Sequence, residues 1–179
     1  MKNYNKIAII GNTGSGKSSL SVILSQELNI PVYHLDKYLW RPNWVRVSEK
    51  EFIEEHNKIL SLQKWIIDGV AYFSTMTDRL NSADLVIYFD LDPEVCKKRA
   101  LQRMQEEKSR PNPFTNGCSY DESPENIKAQ NTAIDNFKEY KAKLDPLVNS
   151  LKAKTKIIYI REELESELLA QKILNELKI

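Results

Sequence analysis

Cysteine is almost missing from this chain of 179 residues, which has two, Cys96 and Cys118, and histidine is equally rare. A structural zinc site takes about four ligands, and neither thiol has neighbours in the sequence to supply them. With Cys96 in a predicted helix and Cys118 in a predicted loop, both read as free thiols of a cytosolic protein. Long apolar runs are missing too. A membrane helix needs ~20 apolar residues in a row, and no stretch approaches that. Met1-Lys2-Asn3-Tyr4-Asn5 leads straight into the first apolar segment, which leaves no room for a secretory leader. The expected location is therefore cytoplasmic, with no membrane partner. Charge of one sign is not in excess either, at +1 net, and no helix-turn-helix pattern occurs. Nucleic acid is accordingly not an expected partner. Repeats and low-complexity stretches are absent, and the length suits one domain, 1–179, with a sizeable core.

What the chain does have is Gly11-Asn12-Thr13-Gly14-Ser15-Gly16-Lys17-Ser18, set between the apolar run Ile7-Ala8-Ile9-Ile10 and a helical pattern carrying Leu20, Ile23, Leu24 and Leu28. The order strand, G-x-x-x-x-G-K-[ST], helix is that of a phosphate-binding P-loop. Its glycines allow positive φ and bring backbone N–H groups close to an anion, and the helix aims its positive end at the same point. Lys17 is expected to reach the β- and γ-phosphates. The Ser18 hydroxyl is expected to join a Mg²⁺ shell, with Ser19 behind it in the nucleotide site. A chance glycine turn would not need both flanks. ATP with Mg²⁺ is the expected ligand.

Taken in order, a helix over 17–28 follows the P-loop, and Pro31 to Asp36 reads as a second strand ending in a carboxylate. Ligands gather at strand ends in open parallel sheets, so Asp36 is placed for acceptor binding or catalysis, whereas His34 reads as a structural residue. Tyr38, Trp40, Arg41 and Trp44 then crowd a short connector. Two readings stand for it: a surface that stacks a ring and holds an anion, or an aromatic plug on the sheet edge. Ser48-x-x-Glu51 is a capping box for a helix whose apolar stripe includes Phe52, Ile59 and, at its boundary, His56. Residues 64–69 form a third strand ending Asp68-Gly69, by itself a common turn; with the P-loop upstream it reads as an Asp of Walker B type, expected to orient Mg²⁺ directly or through water. Tyr72 to Leu80 predicts a short helix, on which Arg79 either meets an acceptor phosphate or pairs at the surface with Asp78 or Asp84. A fourth strand over 84–90 precedes a helix capped by Asp92-Pro93, and there Arg99 and Arg103 share a face. Such a pair is either solvated surface or a clamp on a moving phosphoryl group. The pattern breaks over 108–123, a loop long enough to be a lid. A long helix capped by Ser123, a fifth strand over 155–160 and a helix over 162–177 complete the chain.

Strands alternating with helices predict an α/β fold, a five-stranded parallel sheet covered by helices on both faces, in three layers. The P-loop, the strand ending Ile67-Asp68-Gly69, and Arg99-x-x-x-Arg103 ahead of a lid resemble the adenylate-kinase-like P-loop nucleotide kinases. The segments His34-Leu35-Asp36, Trp40-Arg41-Pro42-x-Trp44, Trp65-Ile66-Ile67-Asp68-Gly69, and Arg110-Pro111 with Gly117-Cys118 resemble the bacterial DNA topology modulation (FlaR-related) branch of that superfamily. The resemblance covers about residues 6–140. It implies ATP·Mg²⁺ on 11–19, Ser18 and Asp68 at the metal, and Lys17, Asp36, Arg99 and Arg103 in catalysis. It further implies Arg110 closing over the phosphates, and Asp36, Arg41, Trp44, Asp68, Gly69, Tyr72 and Arg79 facing the acceptor.

The sequence departs from adenylate kinases at Lys17-Ser18-Ser19 and in its short aromatic connector. The expected function is transfer of the ATP γ-phosphoryl group to a nucleotide or other small-molecule acceptor, by a monomer or homodimer. The alternative is a nucleotide-binding regulator with little turnover. A third reading, a nucleic-acid-linked ATPase, would show a salt-dependent DNA affinity.

Overall fold

The structure, a computed structural model, describes residues 4–120, 124–151 and 155–177. Along the chain the elements are β1 (Lys6–Gly11), α1 (Lys17–Leu28), β2 (Val32–His34), α2 (Asp36–Leu39), β3 (Trp40–Arg41), β4 (Val45–Arg46), α3 (Glu49–Leu60) and β5 (Trp65–Asp68). There follow α4 (Met76–Ser82), β6 (Leu85–Phe89), α5 (Pro93–Glu106), α6 (Pro124–Asn149), β7 (Lys156–Ile160) and α7 (Ser166–Leu177).

The apolar run of β1 is buried on both faces, as the centre of a parallel sheet must be. Successive side chains alternate across it. Ile7 and Ile9 join Leu20 and Leu24 of α1 and Leu169 and Ile173 of α7 on one side. Ala8 and Ile10 join Phe52 of α3, Leu80 of α4 and Phe137 and Leu144 of α6 on the other. The sheet order is β2-β5-β1-β6-β7, and every pairing is parallel. Three layers and five parallel strands are thus what the alternation of elements predicted. Because the chain leaves β1 toward β2 on one side and later returns to β6 on the other, the order reverses beside β1. A crevice opens there at the strands' carboxyl ends, and the P-loop sits in it.

Several local expectations change. The second strand stops at His34. Leu35 donates its N–H to the Asp68 carbonyl, and its own carbonyl then accepts from Tyr38 and Leu39. Asp36 therefore opens α2 instead of closing a strand. The aromatic connector folds into an antiparallel hairpin, β3 with β4. Only half of the capping box forms. Ser48 Oγ accepts from the Glu51 N–H, but the Glu51 carboxylate turns to Arg41. The stretch 72–80 divides into a 3₁₀ turn, Phe73–Thr75, and α4. The last helix begins at Ser166, not at 162, and Ser123 lies outside the described residues.

His56 is no boundary residue. It is fully buried beside Phe52, its ring nitrogens lack partners among the described residues, and burial pushes its pKa down to about 4. Cys96 and Cys118 are both free and buried. Among the described residues, no helix is long and apolar enough to cross a membrane.

Candidate active site

The P-loop is shaped by close approaches that only glycine permits. Gly14 has φ 73°, and a Cβ there would collide with the Cys96 carbonyl oxygen of α5. Gly16, at φ 97°, precedes α1 without any side-chain cap, so the first N–H groups of α1 remain available to an anion. Asn12 Oδ1 accepts from the Thr13 N–H at 2.8 Å, and the Asn12 carbonyl accepts from Lys17 Nζ at 2.6 Å. Lys17 thus folds back across its own loop. Asn12 Nδ2 and Ser15 Oγ are buried with no partner among the described residues. Ser18 is half-buried in the first turn of α1, and Ser19 is exposed.

Beyond the loop, β1, β2 and β5 end together. Asp68, at the end of β5, is buried; its Oδ2 lies 2.9 Å from His34 Nδ1. Its Oδ1 is buried with no partner among the described residues. Burial lowers the pKa of Lys17, and the opposing charge with most effect on it is Asp68, followed by Asp36. Asp36 is open to solvent on one side, yet protein atoms crowd its carboxyl. That desolvation first, and the Asp68 charge second, push it up to about 6, against Lys17, Arg103 and His34. Water on the open side screens these effects. The charges that govern Lys17 and Asp36 thus come from α5, β2 and β5, elements far apart in sequence.

The two arginines of α5 have different neighbours. Arg103 turns toward Lys17 and Asp36 and holds its guanidinium 5.1 Å from the Tyr120 ring centre. Arg99, one turn earlier, pairs with Glu163 at 2.9 Å. It also lines a cleft of about 290 Å³ with Gly14, Ser15, Gly16, Phe89 and Glu165. Sharing a helical face placed both on one side, and only the neighbouring elements separated their roles.

Residues 108–120 of the stretch expected as a lid, 108–123, form an ordered loop; the rest lies outside the described residues. Ser109 N–H donates to the Tyr120 carbonyl, Tyr120 N–H to Arg110, and Asn112 N–H to Cys118. The lid sits on the connector: Trp44 Nε1 donates to the Ser119 carbonyl at 3.1 Å, Asn116 Nδ2 to Lys37 at 2.8 Å, and Cys118 Sγ to Arg41 at 3.3 Å. Phe114 packs on the His34 ring with centroids 4.7 Å apart. Trp40 and Trp44 meet edge to face. The aromatic connector is therefore the seat of the lid, which neither reading of it anticipated. Arg110 is exposed on the lid stem.

Three expected acceptor residues are engaged elsewhere. Arg41 is exposed and bonds both Glu51 oxygens, at 2.7 and 2.8 Å. Arg79 is fully buried and donates to the carbonyls of Gly69 and Val70 and to Thr75 Oγ1. It meets neither Asp78 nor Asp84; it buttresses the turn after Asp68, where Gly69 takes φ 118°. Tyr72 donates its hydroxyl to the Val47 carbonyl under Arg46. Phe114 escaped the sequence reading, whereas His34, read as a structural residue, is packed and hydrogen-bonded, to a partner the sequence did not identify. The available signal was a histidine two residues before Asp36 at a strand end, but its partner Asp68 is 34 positions away.

Neither a protein-family model nor a curated protein sequence matches the chain. Solved structures do. Shikimate kinase from Bacteroides thetaiotaomicron is 18% identical, with TM-score 0.60 over 99% of this chain and 100% of that one. Gluconokinase from Sinorhizobium meliloti is 12% identical, with TM-score 0.57 over 97% and 91%. Deoxyadenosine kinase from M. mycoides is 20% identical, with TM-score 0.51 over 97% and 98%. At these identities the likeness is one of fold, that of the P-loop kinases.

Proposed function

We propose that this chain is a single kinase-like domain that transfers the γ-phosphoryl group of ATP to a hydroxyl on a small molecule or nucleotide. One observation carries the reading: Lys17, Asp36, Asp68 and Arg103 come from four elements to one crevice beside the P-loop, beneath a lid. The structural neighbours named for shikimate, gluconate and deoxyadenosine all phosphorylate hydroxyl-bearing compounds. The connector and lid segments support placement in the topology-modulation branch.

Mg²⁺ fits the residues present. Asp68 Oδ1 is a buried oxygen with no partner among the described residues, and Ser18 stands in the first turn of α1. Among the described residues no cluster of three His, Cys, Asp or Glu could hold a metal alone, and Mg²⁺ carried on phosphates needs only one or two protein ligands. When bound, Mg²⁺ neutralises charge on the phosphate oxygens. The chain's own groups do the rest. Lys17 leaves the Asn12 carbonyl for the phosphates, and Arg103 faces the charge that develops on the transferred group. Asp36 accepts the proton of the acceptor hydroxyl, for which a carboxyl raised toward neutrality is the better base. The P-loop and the lid position the two reactants and exclude water.

The test is coupled ADP release from Mg·ATP against a panel of nucleosides, nucleoside monophosphates and hydroxy acids. One acceptor should raise the rate far above background, and Lys17→Ala should lower it by about 10²–10³. The second reading, a regulator with little turnover, is favoured by the three hydrogen bonds that tie the lid to the connector. A flat panel with ATP bound would select it.

A further inference from the structure

We infer that His34 is a positioning residue: it fixes the rotation of the Asp68 carboxylate toward the metal of Mg·ATP, and Phe114 of the lid packs on its ring. The inference rests on the proposed use of Mg·ATP. An ionised carboxylate only accepts hydrogen bonds, so the proton of the 2.9 Å contact sits on His34 Nδ1 and is donated to Asp68 Oδ2. A carboxylate held at one oxygen has its other oxygen aimed. Here that oxygen, Oδ1, is buried and lacks a partner among the described residues, an arrangement that is costly unless a cation or its water takes it up. Ligating carboxylates are commonly oriented by a hydrogen bond of this kind.

The surroundings say why a histidine serves. His34 and Asp68 are direct partners in the β2–β5 register, so both side chains emerge at the same level of the sheet. Both are buried, at 6% and 3% exposure, which strengthens the bond and excludes competing water. The outer side of the ring is covered by Phe114, 4.7 Å away and tilted by 57°. Phe114 is held in a lid turn in which its own N–H bonds Asn112 Oδ1 and the Thr115 N–H bonds the Asn112 carbonyl. Lid, imidazole and carboxylate form a continuous contact, with the unpartnered oxygen at its end. A docked lid therefore holds the metal ligand in register, and a raised lid frees the ring to rotate.

The experiment is Mn²⁺ binding to the full chain with ATP present, followed by electron paramagnetic resonance. ATP affinity in EDTA and the melting temperature are measured alongside. His34→Leu should weaken Mn²⁺ binding by about 10–100-fold while leaving metal-free ATP affinity nearly unchanged. His34→Asn, whose amide can donate from close to the Nδ1 position, should recover most of the loss. Phe114→Ala should weaken Mn²⁺ binding several-fold. A folded Leu variant that binds Mn²⁺ like the wild type overturns the role of His34, as does an Asn variant that loses as much as Leu. If Leu does not fold, unchanged Mn²⁺ affinity in Phe114→Ala or a large loss in His34→Asn overturns it equally. A wild-type protein that shows no metal-promoted ATP binding removes the Mg·ATP reading itself, and the inference with it.

Discussion

Trp44 donates its indole N–H to the carbonyl of Ser119 at 3.1 Å, joining two excursions from the sheet that are 75 positions apart. Trp44 does so from a left-handed conformation, φ 58°, directly after Asn43 at φ 62°. Consecutive residues of this kind cost on the order of 1–2 kcal/mol each, and contacts with the lid offset that strain. Trp44→Phe keeps a ring and removes the donor. Amide exchange across 112–119 should then accelerate about 5-fold, the worth of one hydrogen bond near 1 kcal/mol. Unchanged exchange would mean that Phe114, Asn116 and Cys118 hold the lid without it.

The separation of Arg99 from Arg103 predicts unequal phenotypes. Arg103→Lys loses the planar fork beside Lys17 and Asp36, and turnover should fall about 10²-fold with ATP affinity little changed. Arg99→Lys can still pair with Glu163, so its turnover should stay within about 3-fold of wild type, in line with the small worth of exposed pairs. Equal losses in steady-state kinetics would restore the two-arginine clamp.

Arg79 is a stability residue on this geometry. Arg79→Met leaves the Gly69 and Val70 carbonyls without their donor in a fully buried place. The expected cost is about 3 kcal/mol, or roughly 6–12 °C in melting temperature for a chain of this size. Arg79→Lys should recover little, because one ammonium cannot reproduce the fork. A variant that melts like wild type but needs far more acceptor would return Arg79 to acceptor binding.

Two shifted groups, buried His56 and solvent-exposed Asp36, give the free protein opposite pH slopes. His56 has its pKa pushed down, from 6.5 to about 4. Its unfolded form therefore takes up protons first, and stability falls as pH drops from 6.5 toward 4. Asp36 has its carboxyl raised from 3.8 to about 6. Its charge is a burden above pH 6, and stability is regained as pH falls through 6; water on its open side makes this the smaller effect. Asp36→Asn should raise the melting temperature at pH 7 and steepen the loss between pH 6.5 and 5. His56→Leu should flatten that loss. Thermal melts at half-unit intervals decide both, and parallel curves for all three proteins would contradict the assignment.

The sequence by itself determined whatever depends on neighbours along the chain. The apolar runs fixed the buried strands, and the bounds of α1, Lys17–Leu28, followed from the pattern around Leu20 and Leu24. The Gly14-x-Gly16-Lys17-Ser18 spacing gave positive-φ glycines and an uncapped helix start, because both are local properties. Asp92 capping α5 was equally local. Only the tertiary structure decided which charges are available to a ligand. Arg79 and Arg41 look alike in the sequence, yet one is enclosed beneath the Gly69 turn and the other pairs with Glu51 at the surface. His34 reads as a structural strand residue until β2 lies beside β5 and sets it against Asp68, and the aromatic connector reads as a binding surface or a sheet-edge plug until residues 108–120 rest on it. Such assignments depend on long-range pairing, since a side chain's hydrogen bonds and desolvation are set by whichever elements fold against it.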